Sequence, residues 1–265
     1  MELNGQYVEQ ELVGGRVGEI RKSNDTVLRP SGEQTEYIHK FLQFTIEQGC
    51  DFVPIPYGVN ENKEERISYM PGDEYNFPLP AFFLDDAMII SASKLLLQFH
   101  DFSTKYIPTL TGKEQWLFPP VRPIEVMCHG DFAPYNVTII DNTAKNIIDF
   151  DTLHPGYRMW DIAYAIYRWV PFTTDRYSGA EINLHEQIRR TKLFLNTYGV
   201  STQNRCEFVD VVEKRLKHLT DFMQEEANNG NDKFQRDIEE GHLQLYFDDI
   251  QYFKDNEKLI TEGII

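Results

Sequence analysis

The pattern of apolar and polar positions changes character near residue 72. Before it, apolar residues come in short runs broken by turn-forming residues; after it, they recur at intervals of three and four. Tyr7–Leu12 and Glu19–Lys22 read as two strands around the glycine-rich turn Val13-Gly14-Gly15-Arg16-Val17-Gly18. Ser23-Asn24-Asp25 turns the chain into a third strand, Thr26-Val27-Leu28-Arg29, stopped by Pro30. A helix is predicted over Gln34–Gln48, with Tyr37, Phe41, Phe44 and Thr45 or Gln48 along one face and Gly49 as its stop. Phe52–Val59 and Arg66–Tyr69 read as two further strands across the charged turn Asn60–Glu64.

Met70-Pro71-Gly72-Asp73 interrupts the strand pattern and links a β-rich N-terminal part to a larger helical part. A long helix is expected over Leu84–Phe102, with Ala87, Ile90, Leu95 or Leu97 and Phe99 facing inward. Thr104–Pro123, with its several prolines, reads as loop. Val137–Ile140 and Asn146–Phe150 then read as two short strands joined at Asp141-Asn142-Thr143. A helix takes in Trp160–Trp169. Amphipathic helices follow over Glu181–Tyr198, Gln203–Asn228 and Lys233–Lys258, with Gly199 and Gly230 as stops.

Composition narrows the class. The chain has 265 residues, 41% hydrophobic and 13% aromatic, enough for one large core or for two lobes around a cleft. Cys50, Cys128 and Cys206 are far apart and form no CxxC pair, so neither a disulfide framework nor a zinc site is expected, and a reducing cytoplasm is. No apolar run approaches the roughly 20 residues of a membrane span, and the polar N-terminus does not read as a signal peptide. A net charge of −16 repels nucleic acid and anionic membranes. It mildly favours a cationic partner such as a polyamine or quaternary amine, although an acidic surface serves solubility in the first place.

The chemistry concentrates in Cys128-His129-Gly130-Asp131-Phe132-Ala133-Pro134-Tyr135-Asn136 and, after one apolar strand and a turn, Ile147-Ile148-Asp149-Phe150-Asp151. Phosphoryl transfer asks little covalent chemistry of a protein. It needs the attacking oxygen held in place and the phosphate charge neutralised by metal. Asp131 can accept the hydrogen bond of a substrate hydroxyl, Asn136 offers a neutral oxygen suited to Mg2+, and Asp149 can bridge metal and phosphates. A hairpin of the two short strands brings Asn136 and Asp149 to the same end. Read as structure alone, the same residues are turn formers and a strand cap, which does not account for all three in register.

This block resembles the catalytic loop and metal-binding segment of the aminoglycoside phosphotransferase / choline kinase-like family, small-molecule relatives of the protein kinases. The resemblance continues through His154-Pro155-Gly156-Tyr157-Arg158-Met159-Trp160-Asp161-Ile162-Ala163-Tyr164. It implies an α+β, two-lobed protein-kinase-like fold, with a nucleotide-binding lobe over 1–72 and a catalytic and substrate-binding lobe over 73–265. It also implies Asp131 as catalytic base, Asn136 and Asp149 as Mg2+ ligands, and His129 and Asp161 as supports of the catalytic loop. ATP or GTP would be the donor and a small-molecule hydroxyl the acceptor. Gly14 and Gly15 would cover phosphates with backbone amides, and Tyr69 and Met70, at the link between lobes, would neighbour the base.

One position departs from the family. Strand three normally supplies a lysine to the phosphates, and here the matching residue is Arg29, whose guanidinium can pair phosphate bidentately. Lys22 is the fallback cation, and Glu36 or Glu33, at the helix start, is the expected partner of the strand-three cation. His100 reads as a packing or capping residue. Tyr157, Trp160, Tyr164, Tyr167 and Trp169 read mostly as helix core, with one or two left to line an acceptor pocket. Asp151 and acids of the last helices (Glu207, Asp210, Asp248, Asp249) are candidates for an ammonium group, most of them on solvated faces. Three alternatives stand beside the kinase reading: a protein kinase, for which Asp149 to Asp161 is too short an activation segment; a catalytically weak or dead kinase-fold binding protein; and a metal-dependent hydrolase built on His129, Asp131, Asp149 and Asp151.

Overall fold

The computed structural model describes residues 9–11, 20–172 and 183–265. Its N-terminal part is an antiparallel sheet of five strands in the order β1-β2-β3-β5-β4. They are β1 (Glu9–Glu11), β2 (Arg21–Ser23), β3 (Thr26–Pro30), β4 (Pro56–Val59) and β5 (Glu64–Ser68). The helix α1 (Thr35–Glu47) lies between β3 and β4 in the chain. Its buried face is Thr35, Ile38, Phe41, Leu42 and Thr45. That is one residue round from the face expected: Tyr37 and Phe44 are half-buried flanks. Gly49 ends the helix at φ +93°, where its amide and that of Cys50 close back on Ile46 and Thr45.

The second, larger part is mostly helical. After a short 3-10 turn at Ala81–Leu84 comes α2 (Asp86–Thr104), starting two residues later than expected. It buries Met88, Ile89, Ala92, Leu95, Leu96 and Phe99, whereas Ala87 is exposed. Two small antiparallel pairs follow. The first joins β6 (Val126–Cys128) to β9 (His154–Gly156), and no periodicity announces these two three-residue strands. The second joins β7 (Val137–Ile140) to β8 (Thr143–Ile147). Asp141 and Asn142 take φ of 49° and 53° in the turn between them, the left-handed pair that a tight hairpin requires. The second strand therefore covers 143–147 rather than Asn146–Phe150, and Asp149 stands beyond it at φ +58°.

Helices α3 (Arg158–Trp169), α4 (Leu184–Tyr198), α5 (Thr202–Arg205), α6 (Phe208–Asn228), α7 (Asp232–Glu239) and α8 (His242–Ile264) complete the chain. Two of the long helices expected from periodicity are divided. Gly241, at φ +90°, separates α7 from α8, and a turn at 206–207 separates α5 from α6. No described helix is long and apolar enough to cross a membrane.

The segment 70–73 is fastened to the β7–β8 hairpin rather than left as a free tether. Asp73 and Ile139 exchange backbone hydrogen bonds of 3.0 and 2.8 Å, and the Pro71 carbonyl accepts from Thr138 Oγ1 at 2.7 Å and Asn146 Nδ2 at 2.9 Å. Gly72 takes φ +120° there, and a Cβ on it would lie 2.9 Å from the Thr138 side chain. Gly72→Ala is expected to cost about 1–3 kcal/mol, from strain plus the clash. Gly112→Ala, at φ +78° but with nothing within 4 Å, is the matched control for strain alone. Chemical unfolding of the two variants checks this: Gly72→Ala should lose the more stability.

Candidate active site

The strand β6 delivers the chain into the loop at His129, and the loop backbone is held from below. The Asp161 carboxylate, fully buried on α3, accepts from the His129 amide at 2.8 Å and the Gly130 amide at 2.9 Å. It also meets His100 Nε2 at 3.0 Å. His100 Nδ1 lies 2.6 Å from the Tyr198 hydroxyl, which in turn accepts from Arg158 at 2.8 Å. The tautomer of His100 with its proton on Nε2 satisfies every partner in this chain. Burial alone would raise the Asp161 carboxyl, but His100 and the loop amides hold it down at about 2. His100 is thus a structural member of the loop's support.

His129 ties the loop to the segment that bears Asp149. Its Nε2 donates to the Ile148 carbonyl at 2.9 Å, and its Nδ1 accepts from the Asp131 amide at 3.2 Å. Gly130 takes φ +83°, and a Cβ there would come within 2.4 Å of the Thr152 carbonyl. Asp131 is then fixed by two donors from the following turn. Tyr135 Oη donates to Oδ1 at 2.8 Å and Asn136 Nδ2 to Oδ2 at 2.8 Å. Burial nevertheless pushes the Asp131 carboxyl above its ordinary range, against the Tyr135 hydrogen bond and the charge of Arg168.

Asn136 and Asp149 do reach the same end of the hairpin. Val137 pairs with Ile147, and the Ile148 amide donates to the Asn136 carbonyl at 2.9 Å. Because Asn136 Nδ2 is spent on Asp131, the amide oxygen is left for a cation, and Asp149 adds a carboxylate on the same cleft. This oxygen donor set fits a hard divalent cation such as Mg2+.

Arg29 closes the arrangement from the other lobe. Its Nε donates to Glu65, its Nη1 to Asp149 at 2.7 Å and its Nη2 to Asp151 at 2.9 Å. Burial works against the charge of Arg29, but Asp151, Asp149 and Glu65 together push its pKa further up. The same pairing outweighs burial at Asp149 and lowers that carboxyl. Glu65 is 2% exposed and is directly opposite Arg29 in the β3–β5 register. Its other oxygen meets His39 Nε2 of α1 at 2.7 Å. The expected helix glutamate is therefore replaced. Glu36 pairs with Lys40 on the exposed side of α1, and no described contact joins Glu33 to Arg29. Lys22, the fallback, instead stands 3.3 Å above the Tyr69 ring.

Between the lobes runs a cleft of about 430 Å3. Val27, Ile67, Tyr69 and Met70 line its apolar end, and Arg29, Asn136, Asp149 and Asp131 its polar end. Gly14 and Gly15 lie outside the described residues. A second cavity of about 910 Å3 opens on the other side of the catalytic loop, under α6 and α7. Three residues line both spaces: Asp131, Tyr135 and Lys233. Of the aromatic cluster on α3, Tyr164 lines the larger cavity, while Trp160, Tyr167 and Trp169 are buried. Asp249 is also buried and accepts from Tyr167 at 2.7 Å, so it is no cavity acid.

The sequence reading missed several residues here. Glu74 lines the cleft, and burial followed by the nearby charge of Asp149 raises its carboxyl. Arg168 sits 4.6 Å over the Phe77 ring and 5.4 Å over Tyr135, close enough for its charge to act on Asp131. Its signal was faint: a cation in the last turn of a helix read mostly as core. Tyr135 lay inside the motif itself, one residue before Asn136, and was readable as a partner of Asp131.

The Asp161 shift makes a testable statement about stability. The folded value of about 2 lies below the ordinary carboxylate value, so the unfolded chain binds the proton first as pH falls. This contribution is present above about pH 4 and drains away between about pH 4 and 2. Asp161→Asn should cost about 3 kcal/mol at pH 7 and should flatten the pH dependence of stability in that acid window. Urea unfolding from pH 7 to the lowest pH at which both proteins fold checks both.

Residues 73–193 match the phosphotransferase enzyme family. No curated protein matches the chain. Among solved structures, a choline/ethanolamine kinase family protein from Mesorhizobium loti superposes with a TM-score of 0.63 at 13% identity, covering 99% of this chain and 94% of that one. An amicoumacin kinase in complex with AMP-PNP, Ca2+ and Ami gives 0.59 at 10% identity, covering 88% of each chain. An ADP-bound aminoglycoside phosphotransferase gives 0.52 at 11%, covering 97% and 94%. The segment 73–193, which carries the Asp131 loop, the hairpin and Asp161, is thus similar to the phosphotransferase enzyme family, and the superpositions show a two-lobed protein-kinase-like fold.

Proposed function

We propose that this chain transfers the γ-phosphoryl group of Mg-ATP or Mg-GTP to a hydroxyl of a small molecule, in a reducing cytoplasm. Residues 1–72 serve as the nucleotide lobe and 73–265 as the catalytic and acceptor lobe. The observation that carries this reading is the position of Asp131 at the junction of two spaces. One space holds an oxygen donor set and a guanidinium suited to a metal-bound polyphosphate, and the other is large enough for a small-molecule acceptor.

In this reading the base lies among Val27, Ile67, Tyr69 and Met70, and Gly14 and Gly15 cover the phosphates. Arg29 turns its Nη1 and Nη2 edge from Asp149 and Asp151 toward phosphate oxygens, while Glu65 keeps hold of Nε. Asn136 and Asp149 hold Mg2+, which supplies charge neutralisation at the phosphates when bound. Asp131 accepts the hydroxyl proton. The acceptor oxygen forms a bond to the γ-phosphorus, the bond from that phosphorus to the β,γ-bridging oxygen breaks, and the nucleoside diphosphate leaves with the electron pair. The raised Asp131 carboxyl suits a base, because its proton affinity is closer to the task than that of an exposed carboxylate. Arg168 adds positive charge near the same carboxylate.

One feature favours the second reading, a nucleotide- or ligand-binding protein without turnover. All three edges of Arg29 are already engaged by carboxylates, so gripping phosphate requires two ion pairs to exchange. Turnover decides between the two.

A nucleotide-consumption screen over aminoglycosides, choline-like amines, sugars, amino alcohols and hydroxylated acids, with Asp131→Asn as the blank, tests the main reading. Asp131→Asn should lower kcat by about 100- to 10,000-fold. With an active acceptor, kcat/KM should fall on the acid side with an apparent pKa above the ordinary carboxylate value, since Asp131 must be ionised to accept the proton. Equal consumption by blank and wild type in every well would remove Asp131 from its role. Nucleotide binding without turnover across the panel would favour the second reading.

A further inference from the structure

Net charge points to a cationic acceptor, but the lining of the larger cavity points the other way. Two of its three acids are already hydrogen-bonded: Asp131 holds Tyr135 and Asn136, and Glu226 accepts from Asn231 Nδ2 at 2.9 Å. The third, Asp237, lies 3.7 Å from His242 Nδ1. Three cations share the space. Arg215, Lys233 and Arg236 line the same cavity, and none of them pairs with an acid among the described residues. In a chain of net charge −16, acid partners are the commoner surroundings of a cation.

Arg215 is the most telling of the three. It is 1% exposed, yet only one of its nitrogens is satisfied, by the Gly130 carbonyl beside Asp131. Nε and Nη1 have no hydrogen-bond partner, and the guanidinium lies 4.3 Å over the Tyr164 ring and 5.5 Å over Phe118. A buried guanidinium with two unused donors is costly unless an anion completes it, and a carboxylate or phosphate does so with matched geometry. Lys233 adds a second argument. Alone among the three it also lines the nucleotide-side cleft. An anionic acceptor brought up to a nucleotide polyphosphate meets like-charge repulsion, and a cation shared by both spaces offsets it.

We propose that the acceptor is a hydroxylated anion. Its carboxylate or phosphate monoester is held by Arg215, Lys233 and Arg236, its body lies against Phe118 and Tyr164, and its free hydroxyl is presented to Asp131. The assignment rests on the phosphotransferase reading of the site for the role of the hydroxyl, and on the lining alone for the charge.

Matched six-carbon probes separate these two supports. Gluconate, sorbitol, glucamine and sorbitol 6-phosphate share a polyol chain and differ in charge. Their binding to the full chain is measured by titration calorimetry with Mg-AMP-PNP saturating, so that the nucleotide cleft does not take up the anion. At least one of the two anions should bind about 10-fold or more tightly than sorbitol or glucamine, and the tighter of them tells carboxylate from phosphate. Arg236 is exposed, so Arg236→Glu can be made without disturbing the core, and it should abolish that preference and improve glucamine. Equal or tighter binding of glucamine, binding of none of the four, or an anion preference untouched by Arg236→Glu overturns the proposal. Turnover is read separately, as Asp131-dependent release of nucleoside diphosphate. Anion preference without any turnover upholds the charge of the pocket and removes the reaction.

Discussion

The loop that carries Asp131 depends on one buried carboxylate. Asp161 is removed from water, a placement that costs several kcal/mol unless its oxygens are fully used. They are used by the His129 and Gly130 amides and by His100, groups from the loop and from α2, while Asp161 itself rides on α3. The carboxylate thus fixes two successive peptide groups of the loop to two helices. Asp131 is the next residue, and its own carboxylate is aimed by Tyr135 and Asn136. Asn136 immediately precedes β7, and Asp149 lies two residues beyond the end of its partner β8. From the buried carboxylate to Asn136 and Asp149, each position is set by the one before it.

The N-terminal part meets this frame through one cation. Arg29 reaches out of the sheet to Asp149 and Asp151, and Glu65 and His39 brace it from β5 and α1. The departure from the family lysine is therefore more than a change of one side chain. A guanidinium has a separate edge for each of three carboxylates, and an ammonium is a single point charge. The partner glutamate lies on the neighbouring strand rather than on the helix where it was expected, and the helix contributes a histidine behind it. Glu65 holds Nε from within the N-terminal part, while Nη1 and Nη2 are taken by Asp149 and Asp151 across the cleft.

Much of this was legible because it is local in sequence. His129, Asp131 and Asn136 lie in one short loop, and Asp149 is one hairpin away, so the order of residues nearly gives the order in space. What escaped the reading depends on pairings that the chain does not announce. Glu65 becomes the partner of Arg29 only through the β3–β5 register. The strands β6 and β9 are three residues each and buried throughout, too short for a period to appear. Asn146–Phe150 was expected as a strand, and it is rich in apolar residues, but the ladder ends at Ile147 and the backbone at Asp149 is left-handed. The cations of the larger cavity come from α6 and α7, where tertiary packing alone decides which charges face inward and which face water.

The central claim is that a γ-phosphoryl group passes to an alcohol across Asp131, and phosphorus NMR tests it most directly. Protein, Mg-ATP and a mixed panel of hydroxylated small molecules are followed over time. The account predicts that the γ-phosphate signal falls as a phosphate monoester signal rises in equal measure. Loss of the γ-phosphate into inorganic phosphate alone, unchanged by the presence of any alcohol, would contradict it and would favour hydrolysis.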